Sequence, residues 1–352
     1  MDETMLALVN FAPQPHSVAL RELPVPEIKE DEVLLAVQAV AICGSDLHQY
    51  HGKQSWKVNY PVVLGHEFAG RVVKTGAAAR RFKPDARVTS ETAAVLDPNS
   101  PYVRSGLYNL DPNRLGFGYG VNGAMTKFVS VPERCLHGLP ENLSFETAAL
   151  TEPCCVAFNA VCVNCQVRPG DNVAILGPGP IGLLCARMAE LSGACPVIVV
   201  GLPNDATRLG IAEKMGATLT LTTPVEETVA RIKALGDGYG VDVVIDASGV
   251  SAALKLALDL VRPGGRISKV GWGPQPCNFS LDPLVAKGVT LQGSFSHNWP
   301  IWRRVISMLA SGQLDVTPIL NRVAPLADWK NCFDDMDKGN LVKAVLTPQA
   351  GS

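Results

Sequence analysis

The run from Asn172 to Leu191 constrains the fold of this chain more than any other. Asn172-Val173-Ala174-Ile175-Leu176 is short, uncharged and almost wholly apolar, as expected of a strand buried on both faces. Gly177-Pro178-Gly179-Pro180-Ile181-Gly182 follows it and opens a helix that runs through Leu183 to Leu191. A GxGxxG spacing alone is weak evidence. Here it lies between strand and helix, and a regular alternation begins with it. Val197-Ile198-Val199-Val200 reads as a second strand and Ala206 to Met215 as a second helix. Val241 to Asp246 and Arg266 to Val270 continue the rhythm. Strands alternating with helices imply a parallel, doubly wound sheet. In such a turn Gly177 permits the tight bend, Gly179 lets the backbone approach a pyrophosphate, and Gly182 lets helix and strand pack closely. Pro180 and Ile181 then begin a helix whose amino terminus faces the phosphates.

The end of the second strand departs from the usual pattern. An acidic residue normally stands there to accept from the adenosine ribose. This chain has Gly201-Leu202-Pro203-Asn204-Asp205-Ala206-Thr207-Arg208, with the acid four residues late. Gly201 removes a repulsion against a 2′-phosphate and Arg208 offers a positive charge, whereas Asp205 is close enough to reach the ribose. Both NAD and NADP stay open on this reading, with dual use and a modest preference expected.

The first 150 residues are of another kind. Short Val-rich runs such as Glu32-Val33-Leu34-Leu35-Ala36-Val37 alternate with Pro, Gly and charged turns, and read as mostly β. From about Ala148 to Cys165 the pattern turns helical, and after about residue 290 it resembles the first region again, with a helix near Trp302 to Ser311. A chain of 352 residues has room for two or three domains. The expected division is a catalytic domain over 1–153, a nucleotide-binding domain over 154–290, and the rest of the catalytic domain over 291–352. A formal net charge of −2 with well-mixed signs argues against a nucleic-acid partner. No apolar run is long enough to cross a bilayer, and Met1-Asp2-Glu3-Thr4 lacks the features of a signal peptide. A cytoplasmic protein is the expectation. The ten cysteines form no spaced framework; Cys162 and Cys165 are a lone CxxC in an apolar stretch and read as small core hydrophobes.

Three places in the chain suit a catalytic zinc. Cys43 opens Cys43-Gly44-Ser45-Asp46-Leu47-His48, His66 and Glu67 follow Gly65, and Glu152 stands before Pro153. One thiolate, one imidazole and one or two carboxylates make a tetrahedral site with room for water or substrate. A zinc that polarises an alcohol beside a nicotinamide makes a dehydrogenase. With these motifs and the glycine turn together, the chain resembles, essentially end to end, the zinc-containing alcohol dehydrogenases of the medium-chain dehydrogenase/reductase family. The Glu-Pro context of Glu152 looks most like the sorbitol (polyol) dehydrogenase branch. The fold implied is α/β, with a β-rich GroES-like catalytic domain and a Rossmann domain.

The resemblance implies that Cys43 and His66 ligate zinc, that Glu67 is the third ligand, and that Glu152 holds or replaces the fourth. The sequence does not decide which carboxylate is inner-sphere. Asp46 is implied to support His66. Ser45 and His48 are implied to carry the substrate proton outward, with His51 a weaker candidate. Ser248 and Phe295 are the remaining expected cofactor contacts. Relatives often hold a second, structural zinc with four cysteines; those positions fall here on Asp97, Ser100, Val103 and Asp111, so one zinc per chain is expected. The lobe would then be held by packing through Tyr102, Leu107 and Tyr108. The pocket is expected to draw on Ser45, Tyr50, Trp56, Phe117 and Phe295. Ser296 stands where polyol dehydrogenases usually carry an arginine, and His297 and Asn298 follow as candidate hydroxyl binders. The function implied is oxidation of a secondary alcohol (a polyol, sugar or cyclitol) with NAD or NADP, in a homodimer or homotetramer. The alternatives are an NADPH-dependent carbonyl reductase of the same family and, from another class, a non-catalytic nucleotide-binding structural protein.

Overall fold

A computed structural model describes residues Glu3–Pro348, so Met1 and Asp2 of the amino-terminal segment lie outside the described residues. The chain forms two compact units, Met1–Glu152 with Asn298–Ser352, and Pro153–His297. Among the described residues no helix is long and apolar enough to cross a membrane.

The first unit is built on a seven-stranded sheet. Its order is Leu320–Pro325, Lys343–Thr347, Glu32–Ala41, Glu67–Thr75, Arg87–Ser90 and Leu136–Gly138, and Phe128–Pro132 also pairs with Glu32–Ala41. Glu32–Ala41 is central and nearly all its residues are buried, which is why Val, Leu and Ala fill it without a clean polar alternation. Two register shifts bend it, between Leu34 and Leu35 and between Val37 and Ala39. Phe68, Phe117, Leu136 and Phe333 lie in the core beneath it. A three-stranded sheet of Val18–Pro24, Thr4–Asn10 and Val62–Val63 completes the unit's β structure.

The second unit is a six-stranded sheet in the order Leu219–Leu221, Val197–Val200, Val173–Leu176, Val241–Asp246, Val261–Lys269 and Thr290–Gly293, paired in parallel throughout. Val173–Leu176 and Val197–Val200 are wholly buried, as their unbroken apolar runs require. Helices Pro180–Leu191, Ala206–Lys214, Val225–Ala234 and Ser251–Leu260 connect the strands. The sheet continues past residue 290, because Thr290–Gly293 takes the register of Arg266–Lys269. Helical structure also starts earlier than Ala148. Ser144 Oγ accepts the Thr147 N–H and opens Phe145–Ala149, then Thr151–Phe158 follows and relaxes into a wider π-turn over Asn159–Asn164.

Candidate active site

Strand register brings the donor residues together. Ala41 lies opposite both Glu67 and Val345 on neighbouring strands, so Glu67, the chain just before Cys43 and the start of Lys343–Thr347 meet at one end of the sheet. Cys43 precedes the helix Gly44–Tyr50 in an extended conformation, and its N–H donates to Asp46 Oδ2 at 2.8 Å. His66 follows Gly65, whose φ of +94° and crowding require glycine: a Cβ there would stand 2.7 Å from Met125 Cγ. The donor atoms of Cys43, His66 and Glu67 lie within 4.8 Å of one another. They are the one such group among the described residues.

The electrostatics of the cluster favour a cation. Burial works against a charged His66, but Cys43, Asp46 and Glu152 together hold its pKa well above the ordinary value. Glu152, at the start of Thr151–Phe158, is buried, and its charge is felt at His66, Glu67 and Lys343. Asp46 is fully buried beside His66, and burial raises its pKa against the pull of the imidazole. Ser45 Oγ is buried with no hydrogen-bond partner. A thiol, an imidazole, two carboxylates and an unsatisfied hydroxyl fit a catalytic zinc with its substrate.

Lys343 is the residue that the sequence reading missed. Its Nζ lies 2.6 Å from Glu67 Oε1 and 2.5 Å from Oε2, and donates to Ile42 O at 2.8 Å. The ammonium is buried, yet the Glu67 carboxylate keeps its pKa above the ordinary value; burial raises the Glu67 pKa as well, against the pull of Lys343. Glu67 is thus shared between the donor cluster and a lysine that takes both its oxygens. A signal existed: a single lysine inside Leu341-Val342-Lys343-Ala344-Val345-Leu346 must have a buried partner.

Ser45 and His48 lie three residues apart on Gly44–Tyr50 and therefore on one face. His48 is half-buried and stacks on Trp56 with ring centroids 6.2 Å apart. Burial lowers its pKa, and the charges of Lys53 and His51 lower it further against Asp337. His51, the weaker candidate, bonds Asp337 through Nε2. Two expected pocket residues are core residues instead. Tyr50 packs edge-on against Trp329 and Phe333, and Phe117 against Phe68, both nearly inaccessible. Of the candidate hydroxyl binders, Asn298 donates to Gly106 O at 3.0 Å and so ties down a loop, while His297 is buried.

The lobe over Asp97–Asp111 is anchored differently from expectation. Tyr102 and Leu107 are exposed, each by more than 40 %. Tyr108 does the holding. Its hydroxyl donates to the buried Glu91 and accepts the Trp299 N–H, and His137 Nε2 bonds the other Glu91 oxygen at 2.9 Å. Burial and the Glu91 charge push the Tyr108 pKa upward.

In the second unit the glycine turn has the expected form. Gly177 has a φ of +96°, and a Cβ on Gly182 would fall 1.9 Å from Gly177 O. Gly179 caps Pro180–Leu191 without a side chain and has open space where a Cβ would be. Pro180 and Ile181 form the first turn, so the unpaired N–H groups that follow Gly179 suit an anion. Ser248 closes the far side of the turn: a Cβ on Gly177 would meet it at 3.1 Å, and its N–H and Oγ both donate to Asp246 Oδ1. Phe295 lies against Trp272, with centroids 5.6 Å apart. Gly201 follows the second strand, and Asp205 and Arg208 face each other at 3.8 Å. The arrangement fits a dinucleotide.

Comparison with known proteins agrees with both halves. Residues 29–141 match the family described as alcohol dehydrogenase GroES-like domain, and residues 180–311 match the family described as zinc-binding dehydrogenase. A D-arabitol-phosphate dehydrogenase of Enterococcus avium is 36 % identical over 98 % of this chain and 98 % of its own. A sorbitol dehydrogenase of Halalkalibacterium halodurans is 34 % identical over 98 % and 99 %. Among solved structures, the alcohol dehydrogenase TADH from Thermus sp. ATN1 superposes with a TM-score of 0.88 at 32 % identity, covering 97 % of this chain and 99 % of that one.

Proposed function

The chain belongs to the zinc-binding dehydrogenases with an alcohol dehydrogenase GroES-like domain, and we propose that its substrate is the secondary hydroxyl of a polyol or a polyol phosphate. It is an oxidoreductase acting on CH–OH with zinc and a nicotinamide cofactor, not a catalytically idle nucleotide binder. The observation that carries the site assignment is the convergence of Cys43, His66 and Glu67 within 4.8 Å. The polyol reading rests on the arabitol-phosphate and sorbitol dehydrogenases to which the chain is similar over nearly its whole length.

Cys43 and His66 hold the metal, with Glu67 or Glu152 completing the set. Lys343 favours Glu152 in that role, because it already engages both oxygens of Glu67. Zinc held there would supply the Lewis acidity that makes a substrate hydroxyl more acidic, and a nicotinamide cofactor would supply the hydride acceptor. The chain's own residues supply the rest. Ser45 Oγ, which has no other partner, accepts the substrate hydroxyl's hydrogen bond and orients it. His48 takes up the proton that leaves the site; its lowered pKa keeps the imidazole neutral to lower pH than an ordinary histidine. The glycine turn and the first turn of Pro180–Leu191 hold the pyrophosphate. The enzyme would act in the cytoplasm as a homodimer or homotetramer, which sedimentation of the purified protein reads directly.

The test is an NAD- and NADP-linked oxidation screen over sorbitol, arabitol, xylitol, their phosphates and simple secondary alcohols. Turnover of at least one polyol or polyol phosphate, with higher kcat/KM than any simple alcohol, is expected. Turnover confined to simple alcohols would overturn the substrate class.

A further inference from the structure

The adenosine end of the cofactor site has a carboxylate, but it comes from a different residue than the strand pattern provides. Val200 lies opposite Leu176 in the parallel sheet, and Gly177 N–H donates to Val200 O at 2.9 Å. Residue 201 therefore borders the glycine turn. A Cβ built on Gly201 would stand 3.1 Å from Pro178 Cγ. That same Cβ would meet Asp205 Cβ and Asp205 Oδ2, each at 3.3 Å. The space that a side chain on residue 201 would enter is the space where the Asp205 carboxylate stands.

The carboxylate is fixed there. The short turn Pro203–Asp205 folds the chain back, with Asp205 N–H donating to Leu202 O at 2.9 Å. Asp205 Oδ2 accepts the Leu202 N–H at 2.8 Å. Its other oxygen faces Arg208, with Oδ1 3.8 Å from the guanidinium. The positive charge of Arg208 is thus already opposed by a carboxylate, and Leu202 to Thr207 contains no basic residue. A 2′-phosphate carries close to two negative charges and needs several charge-assisted donors. A ribose diol needs an acceptor, which a carboxylate supplies.

We infer that Asp205 is the residue by which this enzyme selects NAD over NADP, taking from outside the strand the role that Gly201 has given up. The inference rests on the nicotinamide-cofactor reading above. Asp205 also caps a turn, and a capping role alone would leave selectivity untouched. Asp205→Asn separates the two, because its amide oxygen still accepts the Leu202 N–H while the charge is gone.

The experiment is titration of the purified enzyme with NADH and with NADPH, following nicotinamide fluorescence, together with the melting temperature of each variant. The wild type should bind NADH at least about tenfold more tightly than NADPH. Asp205→Asn should bring the two dissociation constants to within about threefold with its melting temperature unchanged. The double variant Gly201→Asp/Asp205→Ala should restore the preference for NADH, since it returns a carboxylate to the same space. Tighter NADPH binding by the wild type would overturn the inference, as would an Asp205→Asn ratio equal to that of the wild type. Binding of neither cofactor would instead overturn the functional reading on which it rests.

Discussion

The two units solve the problem of holding a charged ligand in opposite ways. At the metal-donor cluster the work is done by buried side chains that satisfy one another: Asp46 on the Cys43 N–H, Lys343 on Glu67, and Glu152 close enough to influence His66. At the glycine turn it is done by backbone, with Gly177 and Gly182 clearing the way and a single half-buried carboxylate at the edge. A change in the first cluster leaves a charge stranded in the core, so it costs stability as well as chemistry. A change at the edge of the second leaves solvent to take the lost partner's place, so it costs selectivity alone.

Lys343→Met should be the most damaging change to the fold. It leaves Glu67 buried and unpaired, which costs about 3–5 kcal/mol. Urea unfolding reads this, and Lys343→Met/Glu67→Gln should recover most of the loss, because the stranded charge is then gone. If the single variant unfolds at the wild-type midpoint, the two units are not as different as stated.

His48→Ala should lower the rate of alcohol oxidation by about 10²–10⁴-fold, the usual worth of a general base. Half-burial, with the charges of Lys53 and His51, holds the His48 pKa below the ordinary histidine value. Its neutral form is the base, so the wild-type rate should hold at neutral pH and fall only as pH drops through that lowered value. The variant should lose this acid limb, and imidazole buffers should restore part of the rate. A wild-type acid limb centred above the ordinary histidine value, or one retained in His48→Ala, would remove His48 from the proton path.

Tyr108→Phe sharpens the comparison at the lobe, where a side-chain network again serves the first unit. The hydroxyl bonds a buried carboxylate and a backbone N–H. Its loss should cost about 1.5–3 kcal/mol, the range for a bond to a charged group. Tyr102→Ala, on an exposed ring, should stay within about 0.5 kcal/mol. Equal effects from the two would contradict the assignment of Tyr108 as the anchor.

What the sequence revealed and what it hid follow the same division. The glycine turn and the apolar strands were legible because each is local: Val197–Val200 and Val241–Asp246 run just as their apolar stretches predict. Cys43, His66, Glu67 and Glu152 stand out as motifs, but the lysine that takes both oxygens of Glu67 does not, since Lys343 lies far along the chain. Tyr50 and Phe117 were placed at the pocket because an aromatic residue's position in the sequence does not say which face it covers. Tyr102 and Leu107 misled for the same reason. Asp205 could be suspected from its spacing, yet only the fold of the Leu202–Asp205 turn brings its carboxylate back to Gly201.

The central claim, that Cys43 and His66 hold the catalytic zinc, is tested most directly by elemental analysis of the wild type beside Cys43→Ser. The wild type should carry about one zinc per chain, and the variant, still folded by circular dichroism, should carry almost none and oxidise no alcohol. A Cys43→Ser protein that keeps its zinc and its activity would contradict the account.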